Sequence, residues 1–223
     1  MPTRPPLTPK RVIEAASAVA DRGGLSAVSM RHVATELGVE AMSLYHHVAD
    51  KEALLDGLAD WIVEQIALPD VTDPWRAAMT ARAMSARSVL SAHPWAISLI
   101  ESRSMPGTPL LRHHDRIVGC LMESGFSAAL ATHAFATIDA FVYGFTLSEA
   151  SLPFAPGDGA EAAFASDVAP PPDQFPHLFR ALGELMDAGT YSYSEEFDYG
   201  LELILDGFAR RFAASQSTDS SIP

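Results

Sequence analysis

The stretch LGVEAMSLYHHVADKEALL, residues 37–55, decides the fold. A helical pattern stops at Gly38, resumes two residues later, and stops again before Asp50, which can cap a further helix. Ala34, Gly38 and Leu44 stand at positions i, i+4 and i+10. Two steeply crossing helices need a small residue at their contact, a glycine that accepts positive φ in the turn, and an apolar residue that fixes the crossing angle. The spacing therefore predicts a helix-turn-helix.

Helical periodicity continues on both sides of this stretch, and no segment shows the polar and apolar alternation of a strand. The sequence predicts an all-α chain: an N-terminal three-helix helix-turn-helix domain, residues 1–52, followed by a larger helical ligand-binding and dimerisation domain, residues 53–223. Caps, glycines and prolines place helices at about 9–22, 30–37, 40–47, 51–68, 73–93, 94–103, 108–125, 127–151, 177–188 and 195–213. Residues 152–176, rich in Pro, Gly, Ala and acid, predict a mobile loop, and residues 215–223 a frayed tail.

The charge of the chain is unevenly distributed. The formal net charge is -13, yet residues 1–52 hold six basic and six acidic side chains, so residues 53–223 carry the whole excess of acid. A polyanion is repelled by an acidic surface. Only the N-terminal fifth of the chain is therefore expected to accept one.

Several classes of protein are disfavoured by what the sequence lacks. It has no Gly-rich phosphate loop, no G-x-S-x-G and no H-E-x-x-H motif, so no enzyme, catalytic residue or cofactor is predicted. The single cysteine, Cys120, excludes an intramolecular disulfide, and the adjacent His46 and His47 point about 100° apart on a helix and cannot share one metal. No leader and no run of about 18 apolar residues is found, so we expect a cytoplasmic protein without a membrane span.

The predicted helix-turn-helix suggests which side chains would meet DNA. Its second helix would enter a major groove, and hydroxyl and cationic side chains around it are natural partners of phosphates. The start of the preceding helix adds a helix N-terminus that favours anions. The predicted DNA contacts are Ser29, Arg31, Ala41, Ser43, Tyr45, His46, His47 and Lys51. Two alternatives remain: Tyr45 could pack half-buried on the first helix, and Lys51 could be an ordinary surface residue.

The segment SMRHVATELGVEAMSLYHHVADKEALLDGL resembles the DNA-binding segment of TetR-family transcriptional repressors, over about residues 10–60. SAHPWAISLI, ESGFS and FDYGLELILDGF resemble the regulatory domain of the tetracycline-repressor branch. The resemblance implies that Arg31 contacts bases, that Ser43, Tyr45 and Lys51 hold phosphates, and that His47 belongs to the recognition helix. It also implies a homodimer in which the last two long helices of each subunit form a four-helix bundle.

Three positions depart from the pattern of that branch. His46 stands where an aromatic residue such as Trp is frequent, and Glu40 places a negative charge near the groove. Ile100 stands where the tetracycline-binding member has a metal-ligating histidine. The resemblance therefore implies neither a particular operator sequence nor a magnesium–tetracycline inducer.

The acidic half of the chain offers apolar helices with scattered polar side chains. Stripes of Phe, Leu, Ile and Val on its two longest helices suit dimerisation, although each could serve only the core of its own subunit. Residues predicted to bind a mainly apolar effector are Met84, Arg87, Trp95, His113, Asp139 and Tyr143. Asp139 needs a partner on its apolar helix, and a salt bridge to Arg87 or Arg116 would explain it equally well.

Together these features predict a ligand-responsive transcriptional regulator. We expect a repressor that binds a palindromic double-stranded operator as a homodimer and is released by a small-molecule effector. The alternative is a helical small-molecule-binding protein whose helix-turn-helix is only structural.

Overall fold

The computed structural model describes residues 6–154, 160, 167, 170–188 and 192–219, and every regular element in these ranges is a helix. The helices are α1 Pro9–Ala27, α2 Met30–Leu37, α3 Ala41–Leu44, α4 Lys51–Gln65, α5 Trp75–Ala92, α6 Ala96–Ser102, α7 Thr108–Glu123, α8 Ala128–Ala150, α9 Pro176–Ala188 and α10 Tyr193–Asp219. The predicted all-α class is confirmed. Most of the loop predicted at residues 152–176 lies outside the described residues.

Internal contacts divide the chain into a first unit, Met1–Phe135, and a second unit, Ala136–Pro223. The first unit holds α1 to α7, and the second holds α9 and α10, while α8 has residues in both. The proposed domain boundary after residue 52 stays a prediction.

Three predicted caps begin helices of the first unit. In each case a side-chain oxygen accepts a hydrogen bond from a backbone N–H three residues later, which satisfies one of the open donors at a helix N-terminus. These bonds join Thr8 to Arg11 at 3.3 Å, Ser29 to His32 at 3.2 Å, and Asp50 to Ala53 at 2.8 Å. The starts of α1, α2 and α4 are therefore fixed by local sequence.

Four helix ends differ from the predicted ones by three residues or more, among them the end of α4, which lies at Gln65 instead of about residue 68. Helix α1 was expected to stop at Gly23–Gly24, but it kinks at Gly24, where φ is 70°, and continues to Ala27. Helix α3 is shorter than predicted, because the Leu44 carbonyl accepts from the N–H groups of both His47 and Val48 and residues 45–47 form a turn. Helix α10 runs to Asp219 where a frayed tail was predicted, since adding residues to an existing helix requires no new nucleus.

A polar cluster joins α1 to the segment between α5 and α6. The indole Nε1 of Trp95 donates to Asp21 Oδ1 at 2.6 Å, and the His93 Nδ1 lies 2.8 Å from the same oxygen. Trp61 of α4 packs edge-on against the His93 ring at a centroid distance of 5.3 Å. We call these four residues the Asp21 cluster. It connects the helix-turn-helix to the following helices through contacts that no local sequence pattern predicts.

Aromatic rings hold the second unit together. Phe141 and Phe145 of α8 each lie 5.2 Å, between ring centroids, from Phe197 of α10. Gly200 makes this approach possible, because a Cβ there would lie 2.7 Å from the Phe141 ring. Leu201 and Leu205 are buried. Much of the predicted apolar stripe on α10 thus serves the core of its own subunit.

Candidate DNA-binding and effector sites

The turn between α2 and α3 has the geometry that the sequence predicts. Gly38 adopts the left-handed conformation, with φ 59° and ψ 40°, and its N–H bonds to the Thr35 carbonyl at 3.0 Å. Ala34 and Leu44 are buried at 2% and 0% exposure, so the small residue and the apolar residue of the triad both face inward. The predicted helix-turn-helix is confirmed in its backbone and in its core.

The predicted DNA contacts surround this buried triad. Tyr45 is 46% exposed, which favours its role as a surface contact over a half-buried packing role. His46 is exposed beside it, whereas Ala41, Ser43 and His47 are half-buried. All five lie on or just after α3, the short helix that would enter a groove.

The basic residues of α1, α2 and the start of α4 differ in their internal partners. Arg22 pairs with Glu36, and Lys10 lies 3.8 Å from Glu14. Arg31 and Lys51 are exposed, and within the described ranges neither has an ion pair. These two cations are therefore available to an external anion.

Ser29 serves two purposes at the start of α2. Its hydroxyl oxygen accepts from the His32 N–H, as a cap does. A hydroxyl group can also donate its own hydrogen, so the same side chain can still bond to a phosphate oxygen. Capping does not exclude the predicted contact.

Met42 is an exposed residue that was not among the predicted DNA contacts. It lies on α3 and is 72% exposed, more than any of its neighbours on that helix. An apolar side chain on such a helix can contact the thymine methyl group in a major groove. The sequence offered no direct signal, because the predicted helix, about residues 40–47, is longer than α3, in which only Leu44 is buried.

His113 is the most distinctive of the predicted effector residues. Its side chain, on α7, is 4% exposed, and its buried Nε2 has no hydrogen-bond partner among the described residues. Burial, the charge of Arg82 and the charge of His114 lower the pKa of His113 to about 4. The ring is therefore neutral at pH 7 and has one nitrogen unsatisfied, at a cost of about 1–3 kcal/mol.

The remaining predicted effector residues occupy varied environments. Trp95 is buried, but its N–H already donates to Asp21. Met84 is 41% exposed, and Arg87, Asp139 and Tyr143 are half-buried. Arg116, one suggested partner of Asp139, pairs with Asp70 at 2.9 Å. That these six residues contact an effector stays a prediction.

Two family models match the chain, one in each half. The model described as bacterial regulatory proteins of the tetR family matches residues 12–58, and the model of the tetracyclin repressor-like C-terminal domain matches residues 68–212. The chain belongs to the TetR family. This regulator is 32% identical, over 208 residues, to the class A tetracycline repressor protein from transposon 1721 of Escherichia coli, covering 92% of each chain.

Solved structures agree with this assignment. Apo ActR from Streptomyces coelicolor matches the TetR-family chain with a TM-score of 0.74 and 25% identity, covering 96% of this chain and all of ActR. ActR in complex with actinorhodin matches with a TM-score of 0.72 and 26% identity, covering 93% and 99% of the two chains. The predicted ligand-responsive transcriptional regulator is confirmed at the level of the family, whose members bind DNA operators and small-molecule effectors, typically as dimers.

One described helix of this TetR-family chain, α8, is long and apolar enough to cross a membrane by length and composition alone. Core helices of soluble proteins pass the same test, and TetR-family regulators are soluble DNA-binding proteins. Only 22% of its most apolar window is buried inside the chain. Helix α8 therefore has apolar surface, such as Leu147 at 49% exposure, that the described residues leave uncovered.

Proposed function

We propose that this TetR-family chain is a repressor that binds a palindromic operator as a homodimer and is released by a small, mainly apolar effector. The observation that carries the proposal is the arrangement around α3. Exposed Arg31, Tyr45 and Lys51 surround a rigid, buried turn, and the two cations have no ion pair within the described residues. The acidic remainder of the chain would repel DNA from other surfaces.

In this proposal α3 lies in the major groove. Arg31, Met42, His46 and His47 face base edges, while the hydroxyl groups nearby and Lys51 bind phosphates on either side. A dimer with two such heads reads half-sites about 34–36 Å apart, or a multiple of that distance. The phosphate contacts give affinity, and the base contacts select the operator.

A second copy of the chain is the proposed partner of the uncovered faces of α8 and α10. Leu147, Tyr199 and Leu203 are 49%, 64% and 54% exposed. Among the described residues, no atom lies within 4 Å of a Cβ placed at Gly144 or at Gly207. Large apolar side chains beside open glycines suit close helix packing, so these faces support the four-helix bundle that the resemblance implies.

His113 is the residue we propose as the polar contact of the effector. A ligand group that bonds to its buried Nε2 would remove an unsatisfied nitrogen, and the surrounding helices would supply apolar contacts. The ActR complex shows that a relative of this chain binds a small molecule, actinorhodin. An effector that binds more tightly to the dimer state that does not fit the operator would lower operator affinity. The loss would equal the difference between the effector's binding free energies for the two states. A DNA regulator of this kind would act in the cytoplasm.

The proposal is tested by fluorescence anisotropy on labelled DNA from upstream of the chain's own gene. We expect tight binding, with the logarithm of affinity falling against the logarithm of salt concentration by about 0.9 per phosphate neutralised. The double variant Tyr45→Ala and Lys51→Ala should lose at least about tenfold in affinity and show a smaller slope.

Arg180→Ala is the matched control. It also removes one positive charge from an exposed side chain, but on α9 in the second unit. Its affinity should equal that of the unchanged chain. Equal affinity for the upstream DNA and a scrambled duplex, unaffected by the double variant, would instead favour a helical ligand-binding protein with a structural helix-turn-helix. Genome-wide selection of bound DNA then decides whether an operator exists elsewhere.

A further inference from the structure

Lysine is almost absent from this chain. Of its fifteen basic side chains only Lys10 and Lys51 are lysines, so the other thirteen are arginines. Both lysines lie at the N-terminal end, one on α1 and the other at the start of α4. A guanidinium is permanently charged, whereas a lysine amine is a target of acetylation, which removes its charge. Acylation can therefore change the charge of only two side chains in this regulator.

Lys51 is exposed, and the acidic residues on either side of it have other partners. The Asp50 Oδ1 accepts a hydrogen bond from the Ala53 N–H at 2.8 Å, as the cap of α4. The Glu52 Oε2 lies 3.0 Å from the Arg103 Nη1. Within the residues that the structure describes, Lys51 itself has no ion pair. Its side chain is therefore accessible to a reagent in solution.

Lys10, the other lysine, has an acidic partner. Its Nζ lies 3.8 Å from the Glu14 Oε1, one turn further along α1. A carboxylate beside an amine favours the charged ammonium form, and only the neutral amine is a nucleophile. Because an exposed ion pair of this spacing is weak, the difference in reactivity is small. We expect Lys51 to react about twofold faster than Lys10 with an acylating reagent.

We propose that Lys51 is an acylation site, and that its acylation by an acyl phosphate releases the regulator from its operator. In this reaction the neutral Nζ attacks the acyl carbon, an amide C–N bond forms, and the C–O bond to the phosphate breaks. Inorganic phosphate leaves with the bonding electron pair, and the proton of the amine passes to solvent. Nothing is oxidised or reduced. The product is a neutral amide, which forms no ion pair with a DNA phosphate.

The effect on DNA binding rests on the proposed function, in which Lys51 binds a phosphate. Acylation of both subunits of a dimer removes two such contacts, so the slope of log affinity against log salt should decrease by about 1.8. The modification goes beyond the proposed effector, because it changes the charge of the DNA-binding surface directly. It requires no second state of the dimer.

The site is tested on the full chain without DNA. The protein is incubated with acetyl phosphate, and peptide mass spectrometry follows acetylation of each lysine over time, with inorganic phosphate at the same concentration as the reagent control. We expect an amide to form at Lys51 about twofold faster than at Lys10. An unmodified Lys51, or a Lys10 that reacts as fast as Lys51 or faster, would overturn the site.

Release is measured by anisotropy on the DNA that tests the proposed function, with each protein compared with its own phosphate-treated sample. Acetylation should lower the affinity of the unchanged chain at least about tenfold. Lys51→Arg offers no amine at this position and should keep its own affinity after treatment. Lys10→Arg is the matched control and should lose affinity as the unchanged chain does.

Two results would overturn the proposed release: full acetylation of Lys51 without loss of affinity, or an equal loss in the Lys51→Arg variant. A chain that binds no DNA before treatment would instead contradict the proposed function. The relative reaction rates of the two lysines would still decide whether Lys51 is the acylation site.

Discussion

The helix-turn-helix and the helices that follow it are held together in different ways. From α1 to α3, the fixing contacts are close in sequence: caps bond three residues ahead, and the Ala34, Gly38 and Leu44 triad spans eleven positions. Beyond α4, local bonds also occur, but several polar contacts join distant residues, as when Asp21 meets His93 and Trp95, 72 and 74 positions away. The DNA-binding element is thus specified locally, and its connection to the regulatory helices is specified by tertiary structure.

This contrast has a functional consequence. We expect a turn fixed by local contacts to keep its shape when distant helices move, which suits a surface that must fit a groove. Contacts between distant helices can differ between states, which suits an element that responds to a ligand. Changes in the two regions should therefore have different effects, and four variants test this, from the largest effect to the smallest.

Leu44→Ala should have the largest effect on stability. It truncates a fully buried side chain at the crossing of α2 and α3, at a cost of about 3 kcal/mol. Hydrogen exchange should accelerate in α1 to α3 and stay slow in α10. Leu205→Ala is a matched truncation on α10, where Leu205 is 1% exposed. It should accelerate hydrogen exchange in α10 and leave exchange slow in α1 to α3. Uniform acceleration throughout the chain in the Leu44 variant would show that the helix-turn-helix is not locally determined.

His113→Phe should change how stability depends on pH. Because burial, Arg82 and His114 lower the His113 pKa to about 4, against about 6.5 when unfolded, the native state binds fewer protons between these values. Stability from this residue is therefore present above pH 6.5 and is lost as pH falls towards 4, by about 2 kcal/mol between pH 7 and pH 4.5. Urea unfolding at pH 7 and at pH 4.5 measures this loss of stability. The His113→Phe variant should no longer show it.

The exposed His133 of α8 is the control for that change. His133→Phe makes the same replacement at an exposed position, and its urea unfolding is measured at the same two pH values for comparison. An unchanged pH dependence in the His113 variant would mean that the ring is not held neutral by its surroundings.

Trp95→Phe should weaken the Asp21 cluster. The substitution keeps an aromatic ring but removes the N–H that donates to Asp21, at a cost of about 1–2 kcal/mol. Trp75→Phe is the matched control, because Trp75 packs against Phe126 and makes no hydrogen bond through its indole within the described residues. Urea unfolding compares the two, and equal losses would mean that the bond to Asp21 contributes nothing measurable.

Of the four variants, Asp60→Asn should change the stability least, and the change should be stabilising. A raised pKa means that the native state disfavours the ionised carboxylate, so at pH 7 the charge lowers stability, and this penalty disappears as pH falls below the native pKa. Solvent screens a half-buried group, so we expect the melting temperature to rise by about 1 °C. Calorimetric melting measures it, with Glu123→Gln as the control. A lower melting temperature would show that Asp60 has a stabilising partner.

The outline of the DNA-binding site could be predicted because it depends on nearest neighbours along the chain. Thr8, Ser29 and Asp50 can cap only the helices that follow them, and Gly38 is the residue that tolerates positive φ at the turn. The burial of Leu44 then follows from the spacing. Exposed Met42 was missed because α3 is shorter than predicted. The Leu44 carbonyl accepts from the N–H groups of both His47 and Val48, and the spacing of apolar residues does not reveal this.

The regulatory half was less predictable. Trp95 was predicted to contact an effector. No sequence pattern predicts that its N–H donates a hydrogen bond to Asp21. Arg103 was not singled out, although it pairs with two carboxylates about fifty residues earlier. Polar side chains far apart in sequence meet only after the helices pack, so their partners cannot be inferred from periodicity.

By itself, the sequence determined the helical class, the helix-turn-helix and the uneven distribution of charge, because caps, glycine conformations and apolar spacing act over a few residues. Only the tertiary structure decided which basic residues of the helix-turn-helix lack an ion pair within the described residues, which apolar stripes are used inside the subunit, and where a carboxylate such as Asp60 is partly desolvated beside like charges. Burial and charge pairing depend on every element that packs nearby, and that information is distributed over the whole chain.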